Sequence, residues 1–160
     1  MKTKIRALVL TASDTRHLDD DLSGSTLVAL LIAMGAEVHD RLIVKDDLDV
    51  LRQTLFSWSE HEDINLILTT GGTGFSPRDN TPEATRAVID REAPGIAEAM
   101  RRETSGKTPM AMLSRGVAGI RGNTLIINFP GSPKAAQECF EVVRPVLQHA
   151  IDLLNENEQH

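Results

Sequence analysis

The residues best suited to chemistry lie in one glycine-rich segment, residues 69–83 (TTGGTGFSPRDNTPE). It follows the apolar run 64–68, which is typical of a buried strand, and it leads into a predicted helix. Gly71, Gly72 and Gly74 carry no Cβ, so backbone N–H groups could close around an anion at the helix N-terminus. The alternative is a plain tight turn, because the segment has neither the GxxxxGK[ST] nor the GxGxxG spacing.

Polar residues follow each of four predicted strands, which cover residues 5–11, 37–44, 64–68 and 124–129. Right-handed crossovers would make the first three strands parallel, and the carboxyl ends of parallel strands meet at one edge of a sheet. The pattern therefore predicts an α/β fold with a polar rim formed by residues 13–14, 45–46, 69–79 and 128–132.

Two aspartates of this rim, Asp46 and Asp79, are candidates for holding a divalent cation. Carboxylates beside bound phosphate are unfavourable unless a cation bridges them, and Mg²⁺ is the usual bridge. The alternatives are that Asp46 only caps a helix and that Asp79 only pairs with Arg78. Arg115 and Lys134 could likewise be solvated charges, or they could neutralise an anionic substrate.

The helix signals are less sharp than the strand signals. The sequence predicts a first helix that starts within residues 23–25 and ends at Gly35, and a second that is capped by Asp46 or Asp47. Thr81 is the predicted cap of the third helix. A further helical segment runs to about residue 103, residues 110–118 carry no clear pattern, and the last helix follows residues 130–133.

The composition indicates one soluble domain, residues 1–160, in a reducing cytoplasm. The net charge of −6 and the absence of a basic run argue against a nucleic-acid surface. No apolar run is long enough to span a membrane, and the N-terminus lacks a signal-peptide pattern. Cys139, the one cysteine, suits packing, and the five histidines lack zinc-ligand spacing. Ser114 and Ser132 lack the partners of a nucleophilic serine.

Four motifs in order give the chain a close resemblance to the molybdopterin adenylyltransferase family of the MogA/MoaB type: TTGGTGFSPRDNTPEA, APGIAEAMR, PMAMLSRGVAG and TLIINFPGSPKA. The resemblance implies a three-layer α/β sandwich with a mostly parallel central sheet and helices on both faces. It also implies AMP transfer from ATP to the terminal phosphate of molybdopterin with Mg²⁺, in a homotrimer or homohexamer. The product would pass to the metal-insertion enzyme of the pathway.

The resemblance also assigns roles to single residues. Asp46 and Asp79 match the family's essential aspartates, which we expect to hold the Mg²⁺. The predicted phosphate and nucleotide contacts are Gly71, Gly72, Thr73, Gly74, Pro130, Gly131 and Ser132, and the predicted molybdopterin contacts are Ser13, Asp14, Thr70, Arg78, Ser114 and Asn128. VKDD at residues 44–47 departs from the adenylyltransferase type and leans toward the MoaB branch, some of whose members are inactive.

Two other functions fit the same fold. One is a nucleotide pyrophosphatase, as in competence-damage-inducible proteins, although its glycine loop differs after the first two glycines. The other is a non-catalytic module that binds molybdopterin as a scaffold. The retained Arg78–Asp79 pair favours the transferase, because inactive relatives lose this signature.

Overall fold

The computed structural model describes residues 2–156 and contains one six-stranded sheet. The strands are β1 (Arg6–Ala12), β2 (Glu37–Val44), β3 (Leu66–Thr70), β4 (Arg91–Glu92), β5 (Ala118–Arg121) and β6 (Thr124–Phe129). The helices are α1 (Leu22–Ala33), α2 (Leu48–Ser59), α3 (Thr81–Val88), α4 (Pro94–Thr104) and α5 (Pro133–Leu154), with a 3-10 helix at Pro109–Leu113.

The strand order is β2-β1-β3-β6-β5-β4. β2, β1, β3 and β6 are mutually parallel, whereas β5 and β4 run antiparallel at one side of the sheet. The predicted parallel arrangement of the first three strands is confirmed. β2 lies on one side of β1, and β3 lies on the other side. This reversal between β1 and β3 is where open α/β sheets bind their ligands.

Alternate residues of the central strands enter two separate cores, since successive side chains of a strand point to opposite faces. Ala7 and Val9 pack with α1, α4 and α5, and Leu8 and Leu10 pack with α2 and α3. Every residue of β3 and β6 is buried, which explains their continuous apolar sequences. The predicted three-layer sandwich with helices on both faces is therefore confirmed.

Several predicted boundaries need correction. β3 begins at Leu66 rather than residue 64, and α1 begins at Leu22 rather than within residues 23–25. The cap of α1 is Asp21, because its carboxylate accepts a hydrogen bond from the amide of Gly24.

The other helix starts separate the alternatives that the sequence left open. Asp47 caps α2 by accepting a hydrogen bond from the Val50 amide, so Asp46 is not the cap. The prediction that Thr81 caps α3 is wrong: the cap position is Asn80, which makes no side-chain capping bond, and Thr81 is the first helical residue. The unassigned residues 110–118 contain most of the 3-10 helix and lead into β5.

Candidate active site at the carboxyl ends of the parallel strands

The ends of four adjacent strands form one rim, as the sequence predicted. Backbone bonds join neighbouring strand ends: the Ser13 amide donates to the Val44 carbonyl at 2.8 Å, and the Gly71 amide donates to the Phe129 carbonyl at 3.1 Å. The rim lies directly beside the point between β1 and β3 where the strand order reverses. Polar residues far apart in sequence are therefore held close together by the sheet itself.

The glycine loop, residues 71–74, can exist only with glycine at its first two positions. Gly71 and Gly72 have φ values of +91° and +69°, which favour glycine. A Cβ on Gly71 would lie 2.6 Å from the carbonyl oxygen of Ala12, and one on Gly72 would lie 2.4 Å from the Thr81 hydroxyl. The backbone of the loop is thus pressed against both β1 and the start of α3.

Three successive amides of this loop are available to an anion. The amides of Gly72, Thr73 and Gly74 donate no hydrogen bond to any of residues 2–156, whereas the Gly71 amide is bonded to Phe129. The carbonyl oxygens of the three residues are bonded to other parts of the fold, to Thr81 and Arg115. The loop is held by its acceptors while its donors stay unused, which is the arrangement of an anion-binding nest.

Asp46 faces the glycine loop with a carboxylate that the fold leaves unsatisfied. Its Oδ1 atom is buried without a hydrogen-bond partner and lies 3.1 Å from the position of a Cβ on Gly72. Burial, and then repulsion from Asp14 and Asp79, raise the pKa of Asp46 above its ordinary value. A buried carboxylate oxygen without a partner is costly, and a nearby cation would relieve that cost.

Asp79 lies beside Gly74, at the other end of the same loop. Its Oδ2 atom accepts a hydrogen bond from the Ser76 amide at 3.0 Å and lies 3.0 Å from a Cβ placed on Gly74. It does not pair with Arg78, so that alternative is wrong. Arg78 instead donates two hydrogen bonds to Asp14, at 3.0 and 2.9 Å, and they lower the pKa of that carboxyl. Asp14, Asp46 and Asp79 are therefore close enough to interact beside the loop, and they form an acidic region that we call the cleft.

The donor set of this cleft fits Mg²⁺, although no cluster of three or more His, Cys, Asp or Glu side chains within residues 2–156 could hold a metal by itself. Mg²⁺ is usually bound by one or two carboxylates together with water and substrate phosphate. Asp46, with its unsatisfied oxygen, and Asp79 supply that number of carboxylates. Complete coordination would therefore depend on the substrate's oxygens.

A cavity of about 480 Å³ is lined in part by Thr73 and Gly74 of the glycine loop, and no pattern in the sequence predicts it. Its walls are largely apolar and come from the loop, α4, the 3-10 helix and the start of α5, including Thr73, Met100, Ser114, Ser132 and Cys139. Burial raises the pKa of the Cys139 thiol to about 11, so the thiol is neutral at physiological pH. A cavity of this size and polarity suits a ring system.

The chain matches, over residues 8–149, the family model described as "probable molybdopterin binding domain". The chain belongs to the molybdopterin-binding domain family. This molybdopterin-binding domain is 40% identical over 151 residues to a protein named molybdopterin adenylyltransferase from Helicobacter pylori, covering 91% of this chain and 85% of that protein.

Two further relatives show how such domains occur. The molybdenum cofactor synthesis protein cinnamon of Drosophila melanogaster is 44% identical, over 93% of this chain, but the chain spans only 25% of its length. A crystal structure of a molybdopterin biosynthesis enzyme, MoaB from Thermus thermophilus, is 47% identical with a TM-score of 0.87, covering 95% of this chain and 97% of that one. The fold of this molybdopterin-binding domain is therefore the fold of a solved relative.

The remaining predicted contacts of this molybdopterin-binding domain differ in accessibility. Pro130, Ser114 and Ser132 line the cavity. Gly131 packs closely against Gly71, because a Cβ added to Gly131 would lie 3.3 Å from the Gly71 Cα. Ser13 lies between the end of β1 and Asp14, and its hydroxyl accepts hydrogen bonds from the amides of residues 15 and 16.

The side chains of Thr70 and Asn128 are bonded within the fold, although Asn128 also forms part of the cavity wall. Thr70 has no exposed surface, and its hydroxyl donates to the Pro130 carbonyl at 2.7 Å. Asn128 is 2% exposed, and its amide group donates to the hydroxyls of Thr69 and Thr85. These two predicted contacts join the strand ends instead of presenting free polar atoms.

Sequence reasoning misjudged one important residue of this molybdopterin-binding domain, Arg115. Its side chain is about a third exposed, and its guanidinium pairs with Glu83 at 2.7 and 3.1 Å. Lys134, considered alongside it, is exposed. The two partners lie 32 residues apart, so no local pattern could have revealed the pair.

Among residues 2–156, none of the helices combines the length and apolarity needed to cross a bilayer.

Proposed function

We propose that the protein transfers AMP from ATP to the terminal phosphate of molybdopterin, releasing pyrophosphate. The observation that carries the proposal is the glycine loop with three unused amides between two carboxylates, Asp46 and Asp79. Such a loop accepts phosphate oxygens, and the carboxylates suit the Mg²⁺ that accompanies ATP. The name of the Helicobacter pylori relative supports the same reaction.

The reaction needs positioning more than proton transfer. The terminal phosphate of molybdopterin is largely ionised at neutral pH, because phosphate monoesters have a second pKa of about 6. One of its oxygens forms the new bond to the α-phosphorus of ATP while the bond from that phosphorus to pyrophosphate breaks. No general base is required. The barrier is the approach of two anions, so alignment and charge neutralisation carry the catalysis.

Each part of the site has a task in this reaction. The amides of Gly72, Thr73 and Gly74 bind phosphate oxygens, and residues 130–132 add a second turn beside them. Asp46 and Asp79 hold Mg²⁺, which when bound neutralises phosphate charge. Ser13, Asp14 and Arg78 lie near Asp46, and Ser114 lines the cavity, so we expect the two reactants to occupy these neighbouring regions and to meet at the loop. Thr70 and Asn128 keep the two turns in register.

The oligomer and the cellular setting belong to the same proposal. We expect a homotrimer or homohexamer in the cytoplasm that delivers its product to the metal-insertion enzyme. Phe75, Met110 and Met112 are 71%, 63% and 72% exposed, and large apolar side chains grouped near a site commonly mark a contact surface. Light scattering after size-exclusion chromatography would test the subunit number.

The test is incubation of the purified protein with molybdopterin, ATP and Mg²⁺, with the adenylylated product followed by mass. Asp79→Asn should fold normally and lose turnover by at least ~100-fold, since the variant removes a contact worth about 3 kcal/mol. Asp63→Asn is the matched control, because Asp63 is exposed near the opposite edge of the sheet. Unchanged turnover in Asp79→Asn would remove Asp79 from the mechanism.

The same assay separates the alternatives. A pyrophosphatase would hydrolyse nucleotide without forming the adenylylated product. A scaffold would bind molybdopterin and release no pyrophosphate from ATP. Either result with the wild-type protein would contradict the proposed transfer.

A further inference from the structure

One arginine joins the three parts of the segment that carries Asp79. The guanidinium of Arg115 donates to the Gly74 carbonyl at 2.7 Å, to the Asp79 carbonyl at 2.8 Å, and to both carboxylate oxygens of Glu83. Its own backbone amide donates to the Thr73 carbonyl at 2.8 Å. One side chain thus fastens the glycine loop, the aspartate and the first turn of α3.

Little of the Arg115 guanidinium is left to bind a substrate. Four of its five N–H groups are already donated, all to atoms of this chain. Half-exposed ion pairs such as Arg115–Glu83 add little stability by themselves. The value of this arrangement is therefore geometric: a planar guanidinium with fixed donor directions holds three acceptors in one fixed relation.

The neighbours of Arg115 extend the connection to the apolar cavity. Ser114 and Gly116 both line the cavity, and Arg101 donates to the Gly116 carbonyl at 2.8 Å on that side. The short segment 114–116 is therefore braced from both sides, by Arg101 toward the cavity and by Arg115 toward the cleft. It is the direct covalent link between the cavity wall and the clamp on Asp79.

We infer that Arg115 is a positioning residue for Asp79, and that Glu83 fixes Arg115 for this task. The inference rests on the proposed function for its catalytic part. Clamping the Asp79 carbonyl restricts the backbone from which the carboxylate extends, and the Ser76 amide then fixes the carboxylate itself.

Hydrogen exchange tests the clamp without any assay of activity. In Arg115→Ala the amides of Ser76 and Asp79, which are bonded within the segment, should exchange about 10-fold faster. Arg121→Ala is the matched control, because Arg121 also pairs with a carboxylate, Glu60, but lies at the far edge of the sheet. Equal exchange of residues 74–80 in wild type and Arg115→Ala would overturn the inference.

Kinetics test the catalytic part through a double-mutant cycle. Arg115→Ala should lower kcat by roughly 10- to 100-fold, the usual effect of a misplaced catalytic group, with KM for ATP little changed. In the Asp79→Asn background the same substitution should have almost no effect, because Arg115 acts through Asp79. Arg115→Lys should recover little, since a compact ammonium group lacks the planar fork of donors that spans these acceptors.

Other outcomes are equally decisive. Equal losses in both backgrounds, a rise in KM alone, or full recovery by lysine would each show that Arg115 acts on the substrate directly, and would overturn the inference. Failure of the wild-type protein to form adenylylated product, or full activity of Asp79→Asn, would instead contradict the proposed function. Either result would also remove the catalytic part of the inference. The exchange experiment would still decide whether Arg115 fixes the segment.

Discussion

The sheet has an amino-terminal edge and a carboxyl edge, where its parallel strands begin and end. Polar groups at these two edges are hydrogen-bonded to very different degrees. At the amino-terminal edge, near β5 and the end of α2, a polar pocket of about 320 Å³ contains Arg121, whose guanidinium bonds to Glu60 and to the Val88 carbonyl. The Thr124 hydroxyl there donates to the Ile64 carbonyl, and the side chain of Asn65 bonds to β1 and to the chain before it. Polar residues at this edge serve the fold.

The carboxyl edge keeps polar atoms unsatisfied. Among residues 2–156, three buried side-chain atoms lack a hydrogen-bond partner, and two of them, Asp46 Oδ1 and Thr81 Oγ1, lie at the glycine loop. The third is Arg41 Nε on β2. Unsatisfied buried groups cost about 1–3 kcal/mol each, so a fold retains them where a ligand completes them. The contrast, more than the polarity of either edge, identifies the site.

The largest test of this contrast compares a glycine from each edge. Gly71→Ala should destabilise the protein by about 3 kcal/mol or more, because the new Cβ meets the Ala12 carbonyl at 2.6 Å and φ is +91°. Gly122→Ala, in the turn between β5 and β6 at φ +57°, meets no atom within 4 Å and should cost only about 1–2 kcal/mol. Urea unfolding measures both, and equal losses would show that the loop is not pressed against β1.

The second test changes Asp46, whose raised pKa makes it a liability to the fold. Because the folded state binds its proton more tightly than the unfolded state does, ionised Asp46 lowers stability once the pH exceeds its ordinary pKa. Asp46→Asn should therefore stabilise the metal-free protein at pH 7 by about 1 kcal/mol while abolishing transfer. The higher stability of Asp46→Asn should disappear as the pH falls through the folded-state and then the ordinary pKa of Asp46, because wild-type Asp46 becomes protonated.

Two comparisons complete the Asp46 experiment. Mg²⁺ should stabilise the wild-type protein and leave Asp46→Asn unchanged, because only the wild type has the second carboxylate. Asp63→Asn, an exposed change of the same charge at the other edge, should alter stability by less than about 0.5 kcal/mol. If Asp46→Asn proved less stable than wild type at pH 7, the carboxylate would be serving the fold and the contrast between the edges would fail.

The sequence predicts which residues lie at the rim better than it predicts which of their side chains pair with one another. β2 and β6 were predicted at their observed bounds because the apolar second half of β2 and the apolar run of β6 are local signals, and crossover handedness then brings the strand ends together. The pairs Arg115–Glu83 and Arg78–Asp14 join residues 32 and 64 positions apart, so only the folded chain selects them.

The prediction of the helix starts and the prediction of the cavity fail for related reasons. Asp21 competes with three neighbouring hydroxyl and glycine residues for the cap of α1, and its selection depends on long-range contacts with Thr11 and Arg41. The cavity needs the 3-10 helix within residues 109–113, a segment whose sequence has no clear period. Predictions for a single segment succeed where one local signal dominates. They fail where contacts with distant residues decide between similar alternatives.

The smallest expected change in stability is also the most discriminating. Thr81→Val should leave stability nearly unchanged, because the buried Thr81 hydroxyl has no partner and an apolar methyl replaces it at no cost in hydrogen bonds. Thr124→Val, an equally buried threonine of the opposite edge, should cost about 1 kcal/mol, because its hydroxyl donates to the Ile64 carbonyl at 3.2 Å. If Thr81→Val also leaves adenylylation intact, the unsatisfied hydroxyl is a feature of packing beneath Gly72. A stable variant with reduced turnover would instead mean that the hydroxyl is kept unpaired for the reaction, as the difference between the two edges requires.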